Sequence, residues 1–175
     1  MKKFWSVFLA LLFVFALCGC NKQKKDTPPP IAPSFEADVK ITFNDVKITC
    51  HLKQSDFDNT QIEIYTPKEL NGMIINKTPE ECSLKFKEMN YKLDLSKFPK
   101  ASFAQIMTDA YSTLTKSDKI KVKKQDKYWI YEGEINSGKF IITQNDKNGF
   151  VEKIEVPQVN MVAEFSNMKT IATKQ

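Results

Sequence analysis

The chain has 175 residues and a mass of 20.1 kDa, enough for one domain with a sizeable core. Its 26 basic residues are all lysine and stand against 21 acidic ones, while 42% of the chain is hydrophobic, with 13 phenylalanines. That balance excludes a disordered chain and gives no nucleic-acid footprint. Five glycines leave little room for a phosphate-cradling loop.

Met1, Lys2 and Lys3 give a basic start, and residues 4–17 form an apolar run broken only by Ser6. The run is shorter than the roughly 20 residues that span a bilayer, so it reads as a secretory signal. It closes on Leu17-Cys18-Gly19-Cys20. These four residues resemble the lipobox of bacterial lipoproteins. The resemblance implies cleavage after Gly19, removing residues 1–19, and a diacylglyceryl group, with palmitate-type acylation, on Cys20. Two acyl chains anchor stably where one binds only marginally. Loss of Lys2 and Lys3 leaves 24 lysines against 21 acids, a mild excess.

Residues 20–33 carry the lipidation cysteine, Lys22, Lys24 and Lys25, and four prolines between positions 28 and 33. Proline-rich chain favours extended polyproline II, so this stretch reads as a spacer of up to about 40 Å. Its lysines lie beside the lipid, where an anionic surface attracts them. Residues 34–175 form the single globular domain.

Phe35, Ala37, Val39, Ile41 and Phe43 alternate with polar residues, the period of a half-buried strand. Asn44-Asp45, both tolerant of positive φ, make a two-residue turn, and Val46, Ile48, Cys50 and Leu52 continue the apolar face. A turn at 56–59 precedes a strand through Ile62 and Ile64. Further short strands are expected at 73–75, 83–87 and 91–95.

Phe103, Ile106, Met107, Ala110, Tyr111 and Leu114 recur at helical spacing and predict one main helix at about 102–115. Ser102 and Gln105 form a capping box, with Ala101 and Ile106 as its staple. The apolar stripe must be buried against the sheet. Strands resume at 120–124, 127–135, 139–144, 151–156 and 160–165. Tyr128-Trp129-Ile130-Tyr131 and Phe140-Ile141-Ile142 put apolar groups on both faces, which predicts cover on both sides. The fold class is α+β: a curved, mostly antiparallel sheet packed on one helix.

A lipobox followed by strands, one helix and more strands resembles the half-barrel superfamily of lipoprotein carriers, in which an antiparallel sheet wraps around helices and encloses an apolar cavity. The segments Ile62-x-Ile64-x-x-Pro67-x-x-Leu70-x-Gly72 and Leu93-x-x-x-x-x-Pro99-x-x-Ser102-Phe103 look like small uncharacterised lipoproteins of low-GC Gram-positive bacteria. The resemblance covers most of residues 35–165 and implies an apolar-ligand binder. No ligand-binding motif of the carriers has a counterpart in this chain.

The chain carries no Cys-x-x-Cys, His-Glu-x-x-His or Gly-x-Ser-x-Gly pattern, and its one histidine, His51, falls on the polar face of its strand. No catalytic, metal or cofactor site is expected. Cys50 and Cys82 remain after signal removal. In an exported domain they are either a disulfide or two buried thiols. Tyr128, Trp129, Tyr131 and Phe140 either line an apolar ligand pocket, with Phe103, Met107 and Tyr111 of the helix, or pack as core.

The expectation is therefore a non-catalytic lipoprotein on the extracytoplasmic face of the cell membrane. Its half-barrel takes a lipid-like or other apolar ligand. The alternative is an interaction module of the cell envelope with a packed core, whose partner is another envelope protein. No nucleic-acid partner is expected.

Overall fold

The computed structural model describes residues 27–94 and 102–172. The signal segment, Cys20, the lysines of the tether and Ala101 lie outside them. The chain runs β1 (Phe35–Phe43), β2 (Val46–Ser55), β3 (Asn59–Thr66), β4 (Ile74–Lys77), β5 (Cys82–Phe86) and β6 (Met89–Leu93). Helix α1 (Phe103–Lys116) follows. Then come β7 (Lys121–Gln125), β8 (Tyr128–Ile135), β9 (Gly138–Asn145), β10 (Val151–Val156) and β11 (Met161–Thr170). Short 3-10 turns lie at Lys68–Leu70 and Pro157–Val159.

The eleven strands of the described residues join one open antiparallel sheet in the order β6-β5-β4-β3-β2-β1-β11-β10-β9-β8-β7. Two meanders, β1–β6 and β7–β11, meet at the middle, where the first and last strands pair. The described residues are mostly sheet, and an open sheet carrying one α-helix among them is consistent with a half-barrel.

The period-two pattern explains the register. Ala37, Val39 and Ile41 of β1 lie opposite Leu52, Cys50 and Ile48 of β2, and all six are buried. Asn44 and Asp45 adopt φ of 47° and 68°, the geometry of the tight hairpin turn that their side chains favour. Each buried Ile or Leu contributes about 1.5–3 kcal/mol of transfer free energy, so a one-residue slip of β1 would forfeit the whole set.

The helix starts as its cap predicts. Ser102 Oγ accepts the Gln105 backbone N–H at 3.2 Å. The reciprocal arm of the capping box is absent, because the Gln105 amide turns forward to Asp109 Oδ1 at 2.6 Å. Ala104, Ile106, Met107, Ala110 and Tyr111 are buried. Thr108 sits in the same stripe and satisfies its hydroxyl on the Ala104 carbonyl at 2.8 Å.

Three readings are narrowed or changed by the structure. The first concerns Cys50 and Cys82, for which a disulfide and buried thiols both stood open: they are free, buried thiols. They lie on β2 and β5 with β3 and β4 between them. Three strand spacings of about 4.8 Å exceed the roughly 7 Å that a disulfide spans between Cα atoms.

The second change concerns cover on both faces. Trp129, Tyr131, Phe140 and Ile142 are buried on the helix side, whereas Tyr128, Ile130 and Ile141 on the other face are only half-buried. Third, the proline-rich stretch is not wholly a spacer. Gln144 Nε2 donates to the Pro29 carbonyl at 3.0 Å, Pro29 and Pro30 pack on Gly149, and Ile31 packs against the core.

The sheet's two edges differ. Every residue of β7 is exposed, with Lys121, Lys123 and Lys124 along it, and edge lysines discourage pairing with another chain. On β6, Met89 and Tyr91 are exposed, and the tyrosine hydroxyl donates to the thioether sulfur at 3.1 Å.

Candidate functional site

Among the described residues, the interior beneath α1 is nearly filled around Phe35 and Tyr111. Tyr111 packs its ring on Phe35 at 5.2 Å between centroids. The space left around Phe35, Leu52, Met107, Thr108 and Tyr111 is about 10 Å³, room for one water at most. Tyr111 Oη is buried with no hydrogen-bond partner among the described residues, and burial pushes its pKa up.

Trp129 and Tyr131 close the end of the sheet nearest the docked prolines, and each satisfies its polar atom internally. Trp129 Nε1 donates to Asp146 Oδ1 at 2.6 Å. Asp146 Oδ2 meets Lys124 Nζ at 3.0 Å, and that ammonium lies 5.4 Å from the indole centroid. These two partners hold the Asp146 carboxyl below its ordinary range, the Lys124 hydrogen bond most of all. Tyr131 Oη donates to Gln144 Oε1 at 2.7 Å, while Gln144 Nε2 donates to the carbonyls of Gly149 and Pro29. Gln144 is fully buried with all three of these bonds made, as a buried amide requires. Burial pushes the Tyr131 hydroxyl up to about 12.

The opposite end of the β8–β9 hairpin opens into a cleft of about 490 Å³, within the range of small-molecule sites. Ile120, Phe140, Ile141 and Pro157 supply its apolar lining. Lys119, Lys121, Lys139, Glu132 and Glu134 supply its charge, and Gln158 closes one side. Glu132 Oε1 binds Lys123 Nζ at 2.5 Å, which with Lys121 and Lys139 nearby keeps its carboxyl low.

Gly133 makes the cleft possible. A Cβ there would lie 2.5 Å from Phe140 Cζ and 2.6 Å from Ile120 Cδ1, so only glycine lets both side chains cross the strand at that point.

The seven aromatic and helix residues read from the sequence as either pocket lining or core do not gather at one place. Met107 and Tyr111 surround the small gap, Phe140 borders the cleft, and Trp129 and Tyr131 are sealed at the far end. Phe103 is half-buried at the start of α1. Tyr128 faces the other side of the sheet beneath Lys127 Nζ, 5.2 Å above its ring. Sequence reasoning missed Ile120, Gly133 and Pro157; a glycine within a strand was the one available signal.

His51 is less isolated than its place on a polar face implied. Its Nδ1 lies 3.0 Å from Asp38 Oδ1 and its Nε2 3.9 Å from Glu36 Oε2. Asp38 is held below the ordinary carboxylate range, first by Asn167 and then by His51. Among the described residues no group of three acidic, histidine or cysteine side chains is placed to hold a metal. No helix among them is long and apolar enough to cross a membrane.

No protein-family model and no curated protein matches the chain. Solved structures do. An uncharacterized conserved protein from Thermus thermophilus is similar over 80% of each chain, with 10% identity and a TM-score of 0.50. A LolA superfamily protein from Nitrosomonas europaea matches 83% of this chain and 89% of its own at 14% identity and a TM-score of 0.46. The CwlD amidase of Clostridioides difficile in complex with the GerS lipoprotein gives 18% identity, 85% of this chain, 83% of that chain and a TM-score of 0.45. At such identities the likeness concerns the fold alone.

Proposed function

We propose that the protein is a lipid-anchored, extracytoplasmic binding lipoprotein that works without catalysis and takes a lipid-like or other apolar ligand in the cleft beside Phe140. The observation that carries this reading is the cleft itself, about 490 Å³ with Ile120, Phe140, Ile141 and Pro157 in its lining. The anchor is supported by the basic start, the short apolar run and the lipobox ending in Cys20.

The test is native mass spectrometry of the domain from Thr27 onward, purified gently and then incubated with membrane lipids. A stoichiometric adduct that Ile141→Lys abolishes supports the reading. A clean apo mass before and after incubation overturns it.

The small gap between α1 and the sheet among the described residues favours a second reading, an interaction module of the cell envelope. A clean apo mass together with crosslinking in cells to one envelope protein would select it.

A further inference from the structure

The two edges of the sheet carry different protection. β7 presents a run of lysines, a device that keeps an edge from pairing with another chain. β6, outermost on the other side among the described residues, has no such run. Met89, Asn90, Tyr91 and Lys92 are all exposed, Met89 by 46% and Tyr91 by 51%.

The β5–β6 register fixes which backbone groups face outward. Phe86 pairs with Met89 across a two-residue turn, and the residues that close such a turn exchange both hydrogen bonds. Bonding alternates along the ladder, so Met89, Tyr91 and Leu93 turn their N–H and C=O toward β5. Those of Asn90 and Lys92 point away from it, where an added strand would meet them.

The side chains of this edge are complementary to themselves. A second copy laid antiparallel about a two-fold axis at Asn90 sets that residue against its own counterpart. Met89 then faces Tyr91, and Glu88, in the turn before β6, faces Lys92; both contacts occur twice. Opposite charges attract across strands, and a thioether suits an aromatic ring. Within one chain the Tyr91 hydroxyl already meets the Met89 sulfur at 3.1 Å. Moving the axis to Tyr91 would set Glu88 against Asp94, two like charges.

The neighbouring charges leave this match intact. Lys92 meets Glu81 at 2.9 Å, but its side chain is 79% exposed and an ammonium has three donors. Lys85, opposite Asn90 on β5, would stand three strand spacings, about 14 Å, from its counterpart, beyond the screening length. Lys87 lies over the Phe86 ring, 5.2 Å from its centroid.

We infer that β6 is a self-docking edge: a second copy of this chain pairs with it antiparallel about Asn90 and continues the sheet across the axis. The interface is isologous, and so few residues make it small and reversible. The cleft lies at the opposite end of the strand order, so pairing leaves it untouched. The inference does not depend on what the cleft binds.

The experiment uses the full chain in intact bacteria treated with the membrane-permeant oxidant diamide. Single cysteines are placed at Met89→Cys, Asn90→Cys, Tyr91→Cys or Lys92→Cys. Cys50 and Cys82 are buried, and the natural chain sets the background. Asn90→Cys should give several-fold more disulfide-linked dimer than the other three, because only there do the two Cα atoms come within about 7 Å. In the Asn90→Cys chain, adding Glu88→Lys or Lys92→Glu should cut the yield several-fold. Producing those two chains together should restore it, since each then meets the opposite charge, and this rescue separates pairing from a failure to fold. A yield at 90 no higher than at Asn136→Cys, in the remote β8–β9 turn, overturns the pairing. A peak at 91 overturns the register, and charge changes without effect overturn the complementarity.

Discussion

Lys116, in the last turn of α1, donates to both carboxylate oxygens of Asp58, at 2.8 Å each. Ser112, one turn earlier, donates to Asp58 Oδ1 at 3.1 Å. One carboxylate in the β2–β3 turn thus adds to the Phe35–Tyr111 contact in tying the helix to the N-terminal meander, while the helix also lies against β8 of the other. The cationic side chain also suits a helix C-terminus.

Asp58 is held below the ordinary carboxylate range, mainly by the Lys116 hydrogen bond. A carboxyl depressed in the folded state adds stability above its unfolded value and loses it as pH falls through the folded one. Asp58→Asn should therefore cost about 0.5–1 kcal/mol at neutral pH, the scale of a partly exposed pair. In urea titrations the gap between variant and natural protein should close as pH falls through and below the ordinary carboxylate range. A gap that persists in acid would locate the effect in turn geometry instead.

Truncation at the docked prolines is a sharper test. A domain beginning at Ser34 lacks the Pro29 carbonyl and leaves one donor of the buried Gln144 amide without its partner. An orphaned buried donor costs about 1–3 kcal/mol. The fragment from Thr27 should unfold at a correspondingly higher urea midpoint than the fragment from Ser34. Equal midpoints would mean that the prolines merely rest on the surface.

The thiols should be inert until the domain unfolds. Cys50 is 1% exposed, and burial pushes its pKa up to about 12. Cys82 is buried and shifted upward for the same reason. Iodoacetamide at pH 8 should label neither in the native domain from Thr27 onward and both in denaturant without added reductant. Labelling that needs a reductant would reveal a disulfide.

Gly133→Ala brings a methyl group into the space of the fully buried Phe140 ring and of Ile120. Overpacking of this kind costs about 1–3 kcal/mol. Thermal or urea unfolding measures the cost, and any ligand affinity of the cleft should fall with it. A neutral variant would show that Ile120 swings aside freely.

Local features were legible in the sequence because their causes are local. Asn44-Asp45 announced the tight turn, Ser102 the helix start, and the period-two residues of β1 and β2 their buried face. Gln105 misled because its amide had a competing partner in Asp109, one helical turn ahead. The pairing of β1 with β11 had no local signal, since period two reveals a strand's faces and not its neighbours. For the same reason Cys50 and Cys82 could be placed on apolar faces but not across three strand spacings from each other. The docking of Pro29 was hidden because the residue that captures it, Gln144, lies 115 positions away.

The seam between β1 and β11 joins Phe43 to Met161 and Phe35 to Thr170. Each meander is built from neighbours in sequence, but the seam unites the two extremities of the fold. Contacts of such long sequence separation carry the largest loop-closure entropy and set a slow pace. The N-terminal meander therefore waits, with the edge of β1 unpaired, until the last strand has been synthesised and delivered. A chain stalled before Met161 presents that edge to whatever chaperone or neighbour it meets.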